Sequence, residues 1–232
     1  MMAECFTRSG YHAGTNLIPA GPSNPHGFFE DPAVNRLNDV LLKRWFRTAT
    51  PVPDRLLWLG THEQSRTAPH RDEDLLDDML AAMPSSPWMI KDPRLSFTLP
   101  FWTPVLDPCV VIVMVRPPAE VFESLRTMAI REPDYFEGHV VDAKSVGEMW
   151  ASTYRAILTW ADQHTVFVDE STVRNGAALE MVSARVAMPL GGGSVDPGLH
   201  RHRIDAGLSL PSVPLEIWEA VRARCDDDLG VR

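Results

Sequence analysis

The sequence predicts an α/β protein with a central parallel sheet covered by helices. Three observations predict it. Residues 110–115, VVIVMV, are a short unbroken apolar run rich in β-branched side chains, the pattern of a strand buried on both faces. TVFVDE, 165–170, repeats that pattern and likewise ends on charge. Helical spacing fills the intervals around such runs, and strands alternating with helices make parallel sheets.

Each element follows from local chemistry. Residues 1–12 read as the later part of a helix, stopped by Gly10 or Gly14. PAGPSNPHGFFEDP, 19–32, is a loop dense in Pro, Gly, Ser and Asn. Asp31 before Pro32 has the form of a helix start, and Val34, Leu37, Asn38, Leu41, Leu42 and Trp45 give the helix that follows an apolar face. RDEDLLDDMLAAM, 71–83, predicts another helix with a solvated acidic face. Trp88, Met89 and Ile90 predict a short strand beside 110–115, ending in Lys91-Asp92-Pro93-Arg94. After the 110–115 strand, Pro117 and Pro118 stop the ladder and open a helix in which Ser124 sits inside the stripe of Val121, Leu125 and Met128. Further helices are expected over about 143–163 and 176–187, followed by GGGS and VDPGLHRHRID.

The whole chain narrows the classes. Its 232 residues suit one α/β domain spanning 1–232, and a formal charge of −9 argues against nucleic-acid binding through bulk positive charge. Cys5, Cys109 and Cys225 are odd in number and widely spaced, which fits a reduced cytoplasmic protein better than a disulfide framework. No signal peptide is read at the N-terminus, and no segment has the roughly 18–20 uninterrupted apolar residues of a membrane span. No HExxH or comparable spacing points to a metal site.

Candidate site residues gather where the strands end, because open α/β sheets bind ligands beyond the carboxyl ends of their strands. Arg116 ends the 110–115 strand with a fork of donors suited to phosphate or sulfate, beside a helix N-terminus expected to add backbone N–H groups. The alternative is a pairing of Arg116 with a surface carboxylate, and of the Ser124 hydroxyl with a carbonyl one turn earlier. Glu30 and Asp31 end the loop behind Phe28 and Phe29, which can hold a carboxylate out of water, and Asp31 before Pro32 reads as a helix cap. Arg94 either orients Asp92 or holds a helix. Trp102 reads as core.

Taken in order, SNPHGFFEDP, WMIKDPRLSFTLPFW and CVVIVMVRPPAEVFESL resemble the sulfotransferase superfamily, particularly bacterial members with a KDPRL segment, over roughly residues 10–205. The resemblance implies a P-loop-like three-layer α/β/α fold. It also implies transfer of a sulfuryl group from 3′-phosphoadenosine 5′-phosphosulfate to a hydroxyl or amine of a small molecule or glycan, with no metal. By resemblance, Arg116 and Ser124 hold the 3′-phosphate, and Arg201 and Arg203 of the HRHR run add charge there, unless that run is only a solvated loop. Lys91 would stabilise the bridging oxygen. Because the family folds the loop ending in Glu30 and Asp31 over the acceptor, these two lead as the base that takes the acceptor's proton. Capping by Asp31 favours Glu30, Asp92 is the second choice, and Trp102, if not core, would flank the acceptor pocket.

Two departures qualify the resemblance. Cytosolic sulfotransferases carry a histidine two residues after the strand-end lysine, where this chain has Pro93. The family's first strand and PRSGTS-type loop have no counterpart before MMAECFTRSGYHAG, so the sequence leads us to expect an incomplete 5′ site and an open sheet edge that invites self-association and lowers stability. The alternative reading is a catalytically impaired remnant or binding module that keeps the 3′-phosphate pocket. A nucleotide kinase of the P-loop class is disfavoured because GxxxxGK[ST] is absent.

Overall fold

The computed structural model describes residues 2–49, 52–65, 73–83, 85–106, 109–174, 176–190, 210 and 212–230. In chain order these form α1 (Met2–Arg8), α2 (Pro32–Trp45), β1 (Phe46–Thr48), a 3₁₀ turn (Asp54–Leu59), β2 (His62–Gln64), α3 (Glu73–Ala82) and α4 (Leu95–Leu106). They continue as β3 (Val111–Val115), α5 (Pro118–Arg131), α6 (Pro133–Phe136), α7 (Ala143–Trp160), β4 (Thr165–Asp169), α8 (Glu170–Arg174), α9 (Ala177–Val186) and α10 (Leu215–Asp228). The architecture is mixed α/β, and contacts divide it into two compact units.

One unit comprises the described residues of Met1–Gly10, Cys109–Arg126 and Val141–Arg232. Its centre is the parallel pair of β3 and β4, registered from Val111 with Thr165 to Val115 with Asp169. Thr165 to Val168 are all buried without alternation, as a strand covered on both faces must be. Val113, Val115 and Phe167 pack with Trp150, Tyr154 and Ile157 of α7 and with Val221 and Cys225 of α10, spacings that put each helix's contributors on one face. A capping box of Asp142 and Ser145 starts α7.

Helices supply the hydrogen bonds that further strands would make. Val111 N–H donates to the His164 carbonyl, which sets the ladder's parity, so that Met114 and Arg116 turn their backbone groups away from β4 and Phe167 turns its own away from β3. Tyr154 Oη donates to the Met114 carbonyl at 2.8 Å, Trp150 Nε1 to the Arg116 carbonyl at 3.0 Å, and Phe167 N–H to Asp228 of α10 at 2.7 Å. Burial pushes the Tyr154 phenol far up, so it remains a donor.

The other unit comprises the described residues of Tyr11–Pro108 and Thr127–Val140. Asp31 caps α2, its Oδ1 accepting from Ala33 N–H at 2.8 Å with Pro32 at the first helical position. β1 and β2 form a short antiparallel pair, and α2 packs against α3 and α4.

One element differs from the sequence expectations, and two more, α4 and α10, fall where none was drawn. The strand expected at 88–90 is a single parallel bridge, in which Trp88 pairs with His12 rather than with 110–115. Its run is only three residues long and follows Pro87, which has no N–H, whereas β3 finds its partner in β4. α4 forms in spite of Pro100 and Pro104 because Phe97, Phe101, Trp102 and Leu106 are buried along one side. α10 lies beyond the last helix anticipated and starts at Pro214 without a side-chain cap, so the usual start signal is missing.

Candidate functional site

Arg116 stands where β3 gives way to α5. Trp150 fixes its carbonyl, and its guanidinium lies on the carboxyl-end side of the parallel pair, 32% exposed. Nε is 2.8 Å from Glu170 Oε2 and Nη2 is 3.9 Å from Glu120 Oε2. The first contact is an ion pair whose N–H direction misses hydrogen-bond geometry. Arg116 is therefore a strand-end cation, partly open to solvent, that already has carboxylates of its own, the pairing the alternative reading expected.

The helix N-terminus contributes less than the sequence suggests. Pro117 and Pro118 have no N–H, and the N–H groups of Glu120 and Val121 both donate to the Pro117 carbonyl, at 3.0 and 3.1 Å. In the first turn of α5 this leaves the N–H of buried Ala119, so an anion at this strand end would depend on the Arg116 side chain. Ser124 lies half-buried within the second turn of α5. Arg201 and Arg203, with His200 and His202, lie outside the described residues. Asp169, which ends β4, is held by Ser171 and by Arg222 of α10 at 2.6 Å.

In the second unit the loop before α2 presents Glu30. Phe29 adopts a left-handed φ of 56° and Ile18 N–H donates to the Glu30 carbonyl at 2.8 Å, which together turn the Glu30 side chain inward, where it is 7% exposed. Gly14 makes room for this loop: at φ +128° a Cβ there would lie 2.5 Å from Asp31 Oδ2. Lys91 Nζ donates to Glu30 Oε1 at 2.5 Å and Asn35 Nδ2 to Glu30 Oε2 at 3.1 Å. Two of the expected catalytic residues thus meet as an ion pair, and Lys91 is the partner nearer solvent, at 44% exposure.

Asp92 points the other way, into the core. Its Oδ2 accepts from Asn38 Nδ2 at 2.8 Å, and its Oδ1 from Arg94 N–H at 2.9 Å and from Arg94 Nη1 at 3.0 Å. Arg94 Nε donates to Asp39 of α2 at 2.6 Å, so Arg94 both orients Asp92 and holds a helix. Burial pushes the Asp39 carboxyl up against the opposing pull of Arg94. Asn38 completes the network, its Oδ1 accepting from Thr98 Oγ1 at 2.6 Å and from Trp102 Nε1 at 2.8 Å. Asn38 and Trp102 are both at 0% exposure, so Trp102 is core and does not flank a pocket. A polar residue inside the Val34, Leu37, Leu41 stripe was the sequence signal that such a network existed.

Among the described residues no group of three or more His, Cys, Asp or Glu side chains is arranged to hold a metal ion, and no helix is long and apolar enough to cross a membrane. No protein-family model, curated protein or solved structure matches the chain.

Proposed function

We propose that the protein is a sulfotransferase-like enzyme of P-loop-like, three-layer α/β/α type, acting in the cytoplasm on a small-molecule or glycan acceptor. The observation that carries this reading is the junction at the end of β3: a partly buried parallel strand, a half-buried guanidinium, two prolines and a helix, in the order that binds a phosphate in the family the sequence resembles. Arg116 and Ser124 would hold the 3′-phosphate of 3′-phosphoadenosine 5′-phosphosulfate, with Arg201 and Arg203 adding charge. The residues fit the phosphate in kind, since a partly exposed fork of donors is available, although the helix offers it few N–H groups.

The donor supplies the sulfuryl group. Its bond to the bridging phosphate oxygen breaks as the acceptor oxygen or nitrogen bonds to sulfur, and the acceptor's proton passes to a carboxylate. Lys91 would neutralise the leaving oxygen. Glu30, shielded from water, is the base this reading favours over Asp92, whose oxygens are already engaged in the core. Glu30 can act only when Lys91 moves from it to the donor. That mutual engagement at 2.5 Å favours the second reading, a binding module without transfer.

Titration calorimetry with adenosine 3′,5′-bisphosphate tests the phosphate assignment. Arg116→Ala should lose about 1.5–3 kcal/mol of binding free energy, the scale of a hydrogen bond to a charged group. Equal affinities would remove Arg116 from the site. Transfer of labelled sulfate to acceptor by wild type and not by Glu30→Gln separates the enzyme from the binding module.

A further inference from the structure

We propose that Glu170 is a resident counter-ion of Arg116, an internal competitor that a phosphate monoester must displace. This rests on the assignment of Arg116 as an anion-binding residue. The ladder makes the contact possible: Val115 pairs with Asp169, so Arg116 and Glu170 are the next residues on adjacent parallel strands, and their side chains leave the sheet on the same side. Oε2 of Glu170 is 2.8 Å from Nε of Arg116.

Release of Glu170 need not disturb the sheet. Asp169 is anchored separately by Arg222 and Ser171, so rotation of the Glu170 side chain would release Nε of Arg116. Glu120, at 3.9 Å, is a weaker second carboxylate one turn along α5. The exchange selects by charge. A monoanionic carboxylate, though it too can engage both arms of the fork, replaces one negative charge with one, whereas a phosphate monoester dianion brings two. Glu170 thereby offsets the Arg116 charge when the site is empty and biases it toward phosphate monoesters over carboxylates.

The test is calorimetric titration of inorganic phosphate and of adenosine 3′,5′-bisphosphate into wild type, Glu170→Gln, Arg116→Ala and the double variant. Removing the competitor should tighten both probes about tenfold, equivalent to about 1.4 kcal/mol. The gain should vanish in the double variant, since it acts only through Arg116. Glu170→Asp, whose carboxylate is set back by one methylene, should also tighten binding and serves if the Gln variant does not fold. Unchanged or weaker binding of phosphate by both Glu170 variants would overturn the counter-ion role. A nucleotide that binds wild type no better than inorganic phosphate would instead overturn the sulfuryl-donor reading and leave the counter-ion role standing.

Discussion

Asn38→Ala should destabilise the unit that carries Glu30 and Lys91, by an amount that follows from the bonds it breaks. Asn38 serves three buried partners: Asp92, Thr98 and Trp102. Thr98 keeps a bond to the Arg94 carbonyl, and Asp92 keeps Arg94. The Trp102 indole N–H, at 0% exposure, is left without its acceptor, which costs about 1–3 kcal/mol, and losing one hydrogen bond to the Asp92 carboxylate costs about 1.5–3 kcal/mol. Neighbouring relaxation lowers the sum, so about 3–4 kcal/mol is expected, and at roughly 2–4 °C per kcal/mol for a chain of this size the melting temperature should fall by about 10 °C. Differential scanning calorimetry on wild type and variant measures it, with hydrogen exchange at Lys91 and Asp92 reporting whether the segment loosens. A fall of less than about 2 °C would refute the reasoning, because the orphaned indole would then have found another acceptor.

Asp228→Ala should cost about 1–3 kcal/mol, read from a denaturant midpoint, because the buried Phe167 N–H on the outer edge of β4 loses its acceptor. Light scattering on the same variant shows whether that opened edge now promotes association. His62 is buried, with Nε2 2.7 Å from the Leu57 carbonyl; burial above all, and the charge of Arg94, outweigh that bond and hold its imidazole below the usual range. A depressed pKa means the unfolded chain binds the proton first, so stability should be full above about pH 6.5 and fall as the pH drops through the folded value, by at most about 1.4 kcal/mol per unit, a slope that His62→Gln should remove. The Cys225 thiol is pushed up to about 12 by burial and that of Cys5 is raised for the same reason, so an alkylating reagent should modify half-buried Cys109 in the native protein and reach the other two only on unfolding.

What the sequence by itself determined is local. The β3 run, the Asp31-Pro32 helix start, the proline stop after Arg116 and the helices over α5 and α7 are legible because each signal is complete within a few residues: branched side chains, a cap, a missing N–H, a stripe at helical spacing. The identity of each charged residue's partner was not legible. Asn38 and Asp92 lie 54 residues apart, and nothing near either one says that the carboxylate turns inward to an amide while Lys91, its neighbour, turns outward to Glu30. Strand 88–90 dissolved into one bridge because its run is short and follows Pro87, while α4 formed in spite of two prolines because burial of Phe101 and Trp102 outweighs local propensity. Glu120 lies only four residues from Arg116, but the tertiary structure alone gave Arg116 its nearer carboxylate, since the parallel register that brings Glu170 beside it is fixed by the packing of distant helices.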